Sequence, residues 1–374
     1  MKFWSETVFG YLINFGKLLC LLPLDSGSSF TLKVLNRVGC FIVFINVIGM
    51  ELSLLSTIYI NFHDKILVTT LLSIVMLFLE LLLNLLIWQF KKAKLQKLLQ
   101  EFKNFLSASK EHERVIINLY FNHYKYFYTL FFIFASGTAI IRVIFAPMRQ
   151  SPKIPHATYY PFPIEQPSVI YYMVYLSQSI ASFYCGIQTI FIIITAMMLT
   201  YAAIKMKILV YDFKRVENCS QLKLWIYQHL ECIRFVNYIN EVLGFVILKS
   251  YIFLGLTIIF GTMKFIYNPD LYTIARTPLT ILSCLIGTYI YNGPADDIYE
   301  MNHAIGHMLY DMEWNNELMK MKKDIIIVMI RIQKPIFICP LKGLMPALNR
   351  KIYTNFLSYL ISYIMTLRAI VNTQ

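Results

Sequence analysis

Seven long apolar runs constrain the fold of this 374-residue chain more than any other feature. They lie at 38–60, 66–88, 126–146, 169–204, 243–267, 275–292 and 350–371. A helix rises ~1.5 Å per residue, so about 20 apolar residues cross the ~30 Å hydrocarbon core of a bilayer. Hydrophobic residues make up 57% of the chain and charged residues 15%, which leaves too little polar surface to coat a soluble globule. We therefore predict an all-α membrane protein with seven transmembrane helices.

Lys and Arg are distributed unevenly between the segments that the seven predicted spans place on the two sides of the membrane. Lys and Arg are retained on the cytoplasmic side of a membrane. If the N-terminus is inside, most of the 34 Lys and Arg residues fall on inner segments, with dense groups at 91–125, 205–249 and 320–351. Because seven crossings place the two ends on opposite sides, the pattern predicts a cytoplasmic N-terminus and an extracellular C-terminus.

Two apolar stretches differ from a simple membrane span, one in its charges and prolines and the other in its length. Residues 325–341 contain Arg331, Lys334 and two prolines, and each charge costs about 2.5–3.5 kcal/mol at the bilayer centre. We therefore expect a cytoplasmic packing helix there rather than an eighth span. The run at 169–204 is longer than a bilayer requires, so its inner end is expected to project into the cytoplasm.

These boundaries divide the chain into four parts. Residues 1–37 form a cytoplasmic N-terminal segment, in which Phe9 to Leu24 are expected to lie at the inner membrane interface. Residues 38–292 hold spans one to six, and residues 293–349 form a cytoplasmic anchor segment. Residues 350–374 hold the seventh span and an extracellular tail.

A row of hydroxyls marks one face of the seventh span. Thr354, Ser358, Ser362 and Thr366 recur every four residues, so they share one helix face. Such a face lines water in a pore, but Ser and Thr are also favoured where membrane helices pack together. The residues alone leave both interpretations open.

Acidic residues concentrate between Arg276 and Lys320, a stretch without any Lys or Arg. Asp296, Asp297 and Glu300 are candidates for a cytoplasmic vestibule that concentrates cations at a pore. The alternative is a solvated acidic helix face that neutralises nearby basic loops.

Other functional classes fit the pattern poorly. The stretch from Asn268 to Tyr272 matches the Asn-Pro-x-x-Tyr motif of G-protein-coupled receptors, but it lies in a predicted outer loop and the topology is inverted. No internal repeat indicates a transporter, and no intramembrane His or Asp cluster indicates an enzyme. His303 and His307 have zinc-site spacing, but Ala304 stands where a metalloprotease needs Glu. We expect no metal, cofactor or nucleic acid.

Several motifs resemble those of the insect odorant receptor family. Residues 159–163 read YYPFP and are followed by Gln-Pro-Ser, which is similar to the family's aromatic-Pro-Phe outer loop. Residues 291–293 read YNG after the sixth span, and Ala304, Tyr310 and Trp314 continue the family's pattern into the last helices.

The C-terminal region extends the resemblance. RIQKP at 331–335 and SYIM at 362–365 resemble the family's signatures in order and position. Gustatory receptors continue with Gln-Phe where this chain has Ala369-Ile370, and the obligate co-receptor carries a much longer loop between its fourth and fifth spans. The resemblance therefore indicates an odour-tuning subunit. A G-protein-coupled-type or gustatory-type seven-span chemoreceptor is the alternative.

The resemblance implies a ligand-gated, non-selective channel for monovalent and divalent cations. It implies a heterotetramer with the odorant co-receptor, in the plasma membrane of olfactory sensory neurons, with the last helix of each subunit lining the pore. By position it implies a gate near the outer mouth at Ile370, Thr366 and Ser362. It also implies a subunit anchor that includes Tyr310, Trp314 and Tyr363.

The family places its volatile ligands in the outer half of the bundle, where aromatic side chains and a few polar groups suit an odorant. Nine residues with this chemistry are candidates on the second, third, fourth and sixth spans: Ser73, Phe134, Thr138, Ile141, Tyr171, Tyr175, Gln178, Thr280 and Ser283. Packing or lipid contact is the alternative for each of them. Arg142, at the outer end of the third span, is expected to reach the headgroups.

Glu51 and Glu80 are the acids placed deepest in the predicted spans. Such groups usually face the bundle interior with a partner or stay protonated. The sequence does not name the partner.

Overall fold

The computed structural model describes residues 4–22, 24, 27–148, 153–164, 168–267, 270–312, 320–334, 336–340 and 345–372. This part of the chain contains eleven α-helices and a short 3-10 turn at Ala146–Met148. The helices are α1 (Trp4–Leu18), α2 (Phe30–Ile60), α3 (Lys65–Phe90), α4 (Lys92–Ala108), α5 (Glu111–Ile144), α6 (Val169–Ile187), α7 (Thr189–Phe213), α8 (Cys219–Tyr267), α9 (Leu271–Tyr310), α10 (Lys322–Gln333) and α11 (Arg350–Asn372).

The first six predicted spans are confirmed as helices that are long and apolar enough to cross a membrane. They are α2, α3, α5, α8, α9 and the consecutive pair α6 and α7, which together cover Val169–Phe213. The seventh predicted span is α11. Its 23 residues extend about 35 Å, which is sufficient to cross a bilayer, although its sequence is more polar than that of the other six.

Side-chain caps explain where several of the long helices begin. Asp64 accepts a hydrogen bond from the Leu67 amide at 2.9 Å at the start of α3. Asp270 accepts one from the Thr273 amide at 2.8 Å at the start of α9. Each cap satisfies an amide that the helix itself leaves unpaired. The short connections therefore set the boundaries of the spans.

The centre of the bundle is α7, which is buried on every side. Its sequence is apolar around the whole helix, and every residue from 189 to 204 is buried, as expected for a helix that is hydrophobic all round. The apolar run at 169–204 forms two consecutive helices rather than one, because the helix is interrupted at Gln188. The inner end of α7 packs against the start of α8, where Trp225 donates a hydrogen bond to the Leu209 carbonyl at 2.8 Å.

The N-terminal helix and the short helix before α11 complete the packing. Phe9 of α1 is buried, and its ring lies edge-on to Phe102 at 4.5 Å between centroids. The predicted packing helix is α10, which has 12 residues and extends about 18 Å, too short for a span. Asn302 of α9 donates a hydrogen bond to the carbonyl of Ile332 in α10 at 3.4 Å.

Glycine permits a close approach between α5 and α9. A Cβ atom at Gly287 would lie 2.8 Å from the Phe131 ring, closer than such contacts occur. Helices α5 and α9, together with α3 and α8, enclose the part of the bundle interior where polar residues of the predicted outer half meet.

Candidate ligand cavity and conduction helix

Four helices enclose a small polar cavity in the predicted outer half of the bundle. Its lining comes from α3 (Ser73, Leu77), α5 (Arg142), α8 (Thr257, Gly261) and α9 (Arg276, Thr277, Thr280, Ile281). The cavity encloses about 10 Å³, close to the minimum that one water molecule needs. Polar groups from four separate spans therefore converge on a space that is nearly closed.

The helices bring small residues together around this space. Gly261 of α8 faces Ser73 of α3, and a Cβ atom at the glycine would lie 3.8 Å from the Ser73 Cβ. The Ser73 hydroxyl donates to the Thr70 carbonyl at 2.7 Å, and the Thr280 hydroxyl donates to the Arg276 carbonyl at 3.1 Å. Each hydroxyl donates its proton to a carbonyl of its own helix, and its oxygen can still accept a hydrogen bond from another group.

Two arginines are the most unusual part of the lining. Arg142 is 1% exposed and Arg276 is 4% exposed. The expectation that Arg142 reaches the headgroups is therefore wrong: its side chain turns inward, where α6 places Cys185 beside the guanidinium. The Arg276 guanidinium lies 5.3 Å from the ring centroid of Tyr272, a cation–π distance.

The nine sequence candidates separate into three groups. Ser73 and Thr280 line the cavity. Thr138 and Ser283 are buried and donate to carbonyls of their own helices, at 2.7 and 2.8 Å. Phe134 and Ile141 are half-buried on α5 and do not belong to the cavity lining.

The last three candidates hold the connection between α5 and α6 in place. Tyr171 donates to the Lys153 carbonyl at 2.8 Å, and Tyr175 donates to the Val143 carbonyl at 3.1 Å. Gln178, which is fully buried, accepts from the His156 amide at 2.8 Å and donates to Thr158 at 2.9 Å. Their shared helix face therefore supports an inward-folded loop.

His156 is a central residue of this loop that sequence reasoning missed. It is 2% exposed, and its Nε2 lies 2.8 Å from the Ser182 hydroxyl of α6. Its ring meets Phe78 of α3 edge-on at 5.5 Å. The sequence offered no periodicity here, because the loop is irregular and its burial depends on helices distant in the chain.

The last helix exposes the predicted hydroxyl face. Thr354, Ser358, Ser362 and Thr366 are all exposed on α11 among the described residues of the subunit. Ile370 belongs to the helix, but its side chain lies outside the described residues, and Trp314 lies outside them entirely. The anchor candidates Tyr310 and Tyr363 are 74% and 61% exposed.

The opposite face of α11 packs on α8 and α9. Leu360 is buried, and the Phe356 ring meets Tyr251 of α8 at 5.6 Å. A Cβ atom at Gly255 of α8 would lie 3.3 Å from the same ring. Tyr353 donates to the Leu285 carbonyl of α9 at 3.3 Å. The last helix is therefore in direct contact with both α8 and α9.

Three acids predicted near a vestibule converge on the first residue of α11. Arg350 lies 2.6 Å from Asp297 and 3.3 Å from both Asp296 and Glu300. Tyr124 of α5 also donates to Asp297, at 2.7 Å. The acids thus tie the base of the last helix to α9 and α5.

Comparison with known proteins identifies the class of receptor. The sequence family described as 7tm Odorant receptor matches residues 61–347, well over half of the chain. The chain belongs to the odorant receptor family. It is therefore a multi-pass membrane receptor of a family whose members are ligand-gated channels rather than enzymes, and olfaction and cation conduction are typical of that family.

Individual relatives agree with this placement. Odorant receptor 67a of Drosophila melanogaster is 25% identical over 122 residues, which is 32% of this chain and 30% of that receptor's length. The insect olfactory receptor OR5 from Machilis hrabei, solved in complex with eugenol, matches with a TM-score of 0.81 at 11% identity over 98% of both chains. OR5 without that ligand matches at 0.80, with 12% identity and 97% coverage of both chains. At this identity the comparison establishes the shared fold.

A buried ion pair joins two helices of the receptor at the level below the cavity. Lys249 of α8 lies 3.5 Å from Glu80 of α3, with side chains 3% and 1% exposed. The sequence analysis named no partner for Glu80, and the structure shows that the partner is Lys249. The position of Lys249 within the apolar run at 243–267 could have indicated a buried partner for an acid. Both carboxylate oxygens of Glu51 are buried without a hydrogen-bond partner in the described part of the chain.

A second, larger cavity lies between α1, α5 and α6. It encloses about 390 Å³ and is lined almost entirely by apolar side chains, among them Phe15, Phe132, Ile140 and Phe183. None of the nine candidates lines it. Its size suits a small odorant or a lipid chain, but it offers almost no polar group to orient one.

One group among the described residues has the ligand types of a metal site. His112, Glu113 and Asp212 place ligand atoms within 4.8 Å of one another. His112 already lies 3.4 Å from Asp212, and Glu113 accepts from the Lys110 amide at 2.7 Å as a helix cap. These contacts account for all three side chains without a metal.

Proposed function

We propose that this chain is the odour-tuning subunit of a ligand-gated, non-selective cation channel. It binds a volatile odorant in the predicted outer half of the bundle and assembles with the odorant co-receptor as a heterotetramer. The channel acts in the plasma membrane of olfactory sensory neurons. Family membership over residues 61–347 carries this proposal, because ligand-gated cation conduction is typical of insect odorant receptors.

The polar cavity is the ligand site that this function requires. OR5 of Machilis hrabei, which shares the fold, has been solved with eugenol, a small aromatic odorant. In this chain the cavity offers hydroxyls on α3, α8 and α9 to fix the polar end of such a ligand. Because the cavity is nearly closed at about 10 Å³, a ligand must separate the helices to enter. Binding therefore favours a conformation different from the closed one.

The same helix that lines the cavity also contacts the conduction helix. On α8, Thr257 and Gly261 face the cavity, while Tyr251 and Gly255, about two turns closer to the predicted inner side, contact Phe356 of α11. A shift of α8 on ligand entry would move α11. This direct contact is the coupling that opens the pore.

The exposed hydroxyl face of α11 supports its role in lining the pore of the tetramer. Ser362, Thr366 and Ile370 then form the gate near the outer mouth. Asp296, Asp297 and Glu300 border the inner vestibule, where Arg350 offsets part of their charge. The cytoplasmic anchor of residues 293–349, with Tyr310 and Trp314, and Tyr363 on α11 supply contacts between subunits.

The test is cation current in cells that express this chain with the co-receptor, with the co-receptor alone, or alone, across a panel of volatile ligands. We expect odour-evoked current only with both subunits. Current from this chain alone would show a self-sufficient channel. No current with any ligand, while the protein is detected at the cell surface, would contradict the proposed function.

A further inference from the structure

The larger, apolar cavity is separate from the polar one. It encloses about 390 Å³ between α1, α5 and α6, which lies within the range of small-molecule sites. It shares no lining residue with the polar cavity. Along α5 its lining runs from Phe132 to Ile144, about 18 Å of helix. The space is therefore large enough for a molecule the size of an odorant, whereas the polar cavity of about 10 Å³ is not.

Exposed apolar side chains form the rim of this cavity. Ile140 and Ile144 of α5 are each 57% exposed, and Phe183 of α6 is 51% exposed. Both helices belong to segments long and apolar enough to span the membrane, so these side chains lie at the depth of the hydrocarbon. A molecule dissolved in the bilayer can therefore reach the cavity from the side, without crossing the interior of the bundle.

Ser136 is the one polar side chain among the described residues that line this cavity. Its Oγ is buried and has no hydrogen-bond partner in the described part of the chain, whereas Thr138 on the same helix donates to the Ala135 carbonyl at 2.7 Å. A buried hydroxyl without a partner is costly, and a hydroxyl can turn its proton toward an acceptor. Ser136 is therefore available to donate one hydrogen bond to a molecule in the cavity.

The lining also limits the chemistry of a ligand. No described lining residue is charged, and an uncompensated charge buried among apolar side chains is strongly unfavourable. The hydrocarbon chain of a bilayer lipid fits apolar walls, but it carries no acceptor for the Ser136 hydroxyl. A ketone or an ester combines an apolar body with such an acceptor, and it is the class that this lining matches.

We propose that the space between α1, α5 and α6 is a second ligand site of the receptor, which takes uncharged, mainly apolar molecules that carry a hydrogen-bond acceptor. Such a molecule enters from the bilayer, packs against Phe132 and Phe183 and accepts a hydrogen bond from Ser136. This site goes beyond the proposed function, because its ligand binds apart from the polar cavity. Its occupation is measured without current, so failure of the proposed channel function leaves the test unaffected.

The experiment uses full-length protein in phosphatidylcholine nanodiscs and an analogue of 2-nonanone that carries a photoreactive diazirine at the far end of its chain. Mass spectrometry locates the labelled residues, and unlabelled 2-nonanone and nonane compete with the analogue. We expect label within 132–144 of α5 or 183–187 of α6, and we expect 2-nonanone to displace it. The ratio of the two competing concentrations, 2-nonanone to nonane, measures the contribution of the hydrogen bond.

Two changes at Ser136 separate the hydrogen bond from the space. Ser136→Ala removes the donor and should weaken 2-nonanone relative to nonane about threefold to tenfold, as the loss of one neutral hydrogen bond implies. Ser136→Phe fills the cavity and should abolish displaceable labelling. Ser179→Ala is the matched control, because that hydroxyl donates to the Tyr175 carbonyl at 2.7 Å and lies outside both linings; the ratio should not change. Since the ratio is measured within one variant, partial unfolding does not imitate the predicted effect.

Other patterns of labelling would overturn the site. Label confined to the lining of the polar cavity would place the ligand there. Label spread over the lipid-facing helices and not displaced by 2-nonanone would show simple partition into the bilayer. A phosphatidylcholine with a photoreactive acyl chain that labels 132–144, and that 2-nonanone does not displace, would show that a lipid fills the space. An unchanged ratio in Ser136→Ala would overturn the assigned ligand class.

Discussion

Replacing Lys249 by Met should leave a buried carboxylate without its counter-ion. Lys249 and Glu80 are 3.5 Å apart, with side chains 3% and 1% exposed, and the Lys249 ammonium also donates to Ser250 at 3.3 Å. Removing one partner of a buried pair typically costs about 3–5 kcal/mol, because the other charge stays buried. We expect Lys249→Met to be strongly destabilised and to lose most of its surface expression.

The double variant Glu80→Gln with Lys249→Met removes both charges and should recover most of that loss, since neutral replacements of a buried pair are often tolerated. Thermal midpoints of the detergent-solubilised protein and surface abundance measure both effects. Lys94→Met is the matched control. Lys94 pairs with Glu241 at 2.5 Å, but both side chains are more than half exposed, so solvent screening should leave the midpoint unchanged.

An unaltered midpoint in Lys249→Met would refute this reasoning. It would mean that Glu80 is neutral in the native protein and that the pair is an ordinary hydrogen bond. A double variant as unstable as the single one would instead assign the loss to packing of the lysine stem.

Three further perturbations test the conduction pathway. Gly255→Ala, whose Cβ would lie 3.3 Å from an aromatic carbon of α11, should alter basal current per surface receptor severalfold; Gly49→Ala, where nothing lies within 4 Å, should not. Asp297→Asn should lower surface abundance severalfold because it weakens the buried end of the Arg350 cluster, whereas the more exposed Glu300→Gln should be mild; equal effects would contradict this ranking. Ile370→Ala should raise ligand-independent current through a loosened gate, and an unchanged basal current would remove it from the gate.

Local sequence features predicted much of the helical framework. The apolar runs located six spans because a bilayer demands about 20 apolar residues in succession. The charges and prolines of 325–341 correctly indicated a short helix, observed as α10. The break at Gln188 was missed, because both flanking segments are apolar and residues 169–204 read as one run, although Gly186 and Gln188 interrupt the apolar pattern there. The hydroxyl face of α11 was predicted from spacing, and it is exposed in the subunit.

The candidate site was predicted only in part. Ser73 and Thr280 line the cavity, but Tyr171 and Gln178, chosen by similar reasoning, hold a loop instead. Periodicity identifies residues that share a helix face but does not reveal what that face meets. Arg142 shows the same limit, because a cation near a span end can turn outward to headgroups or inward to a cavity.

The sequence by itself determined that this chain is a helical membrane protein and that its motifs are those of an odorant receptor. These properties depend on the residues of single segments. A segment in hydrocarbon must satisfy its own backbone hydrogen bonds, so its composition alone decides that it forms a helix. Only the tertiary structure decided that Lys249 neutralises Glu80, that Arg142 and Arg276 meet at one cavity, and that α8 contacts both this cavity and α11. Those contacts join residues far apart in the chain, and their geometry depends on how whole helices pack.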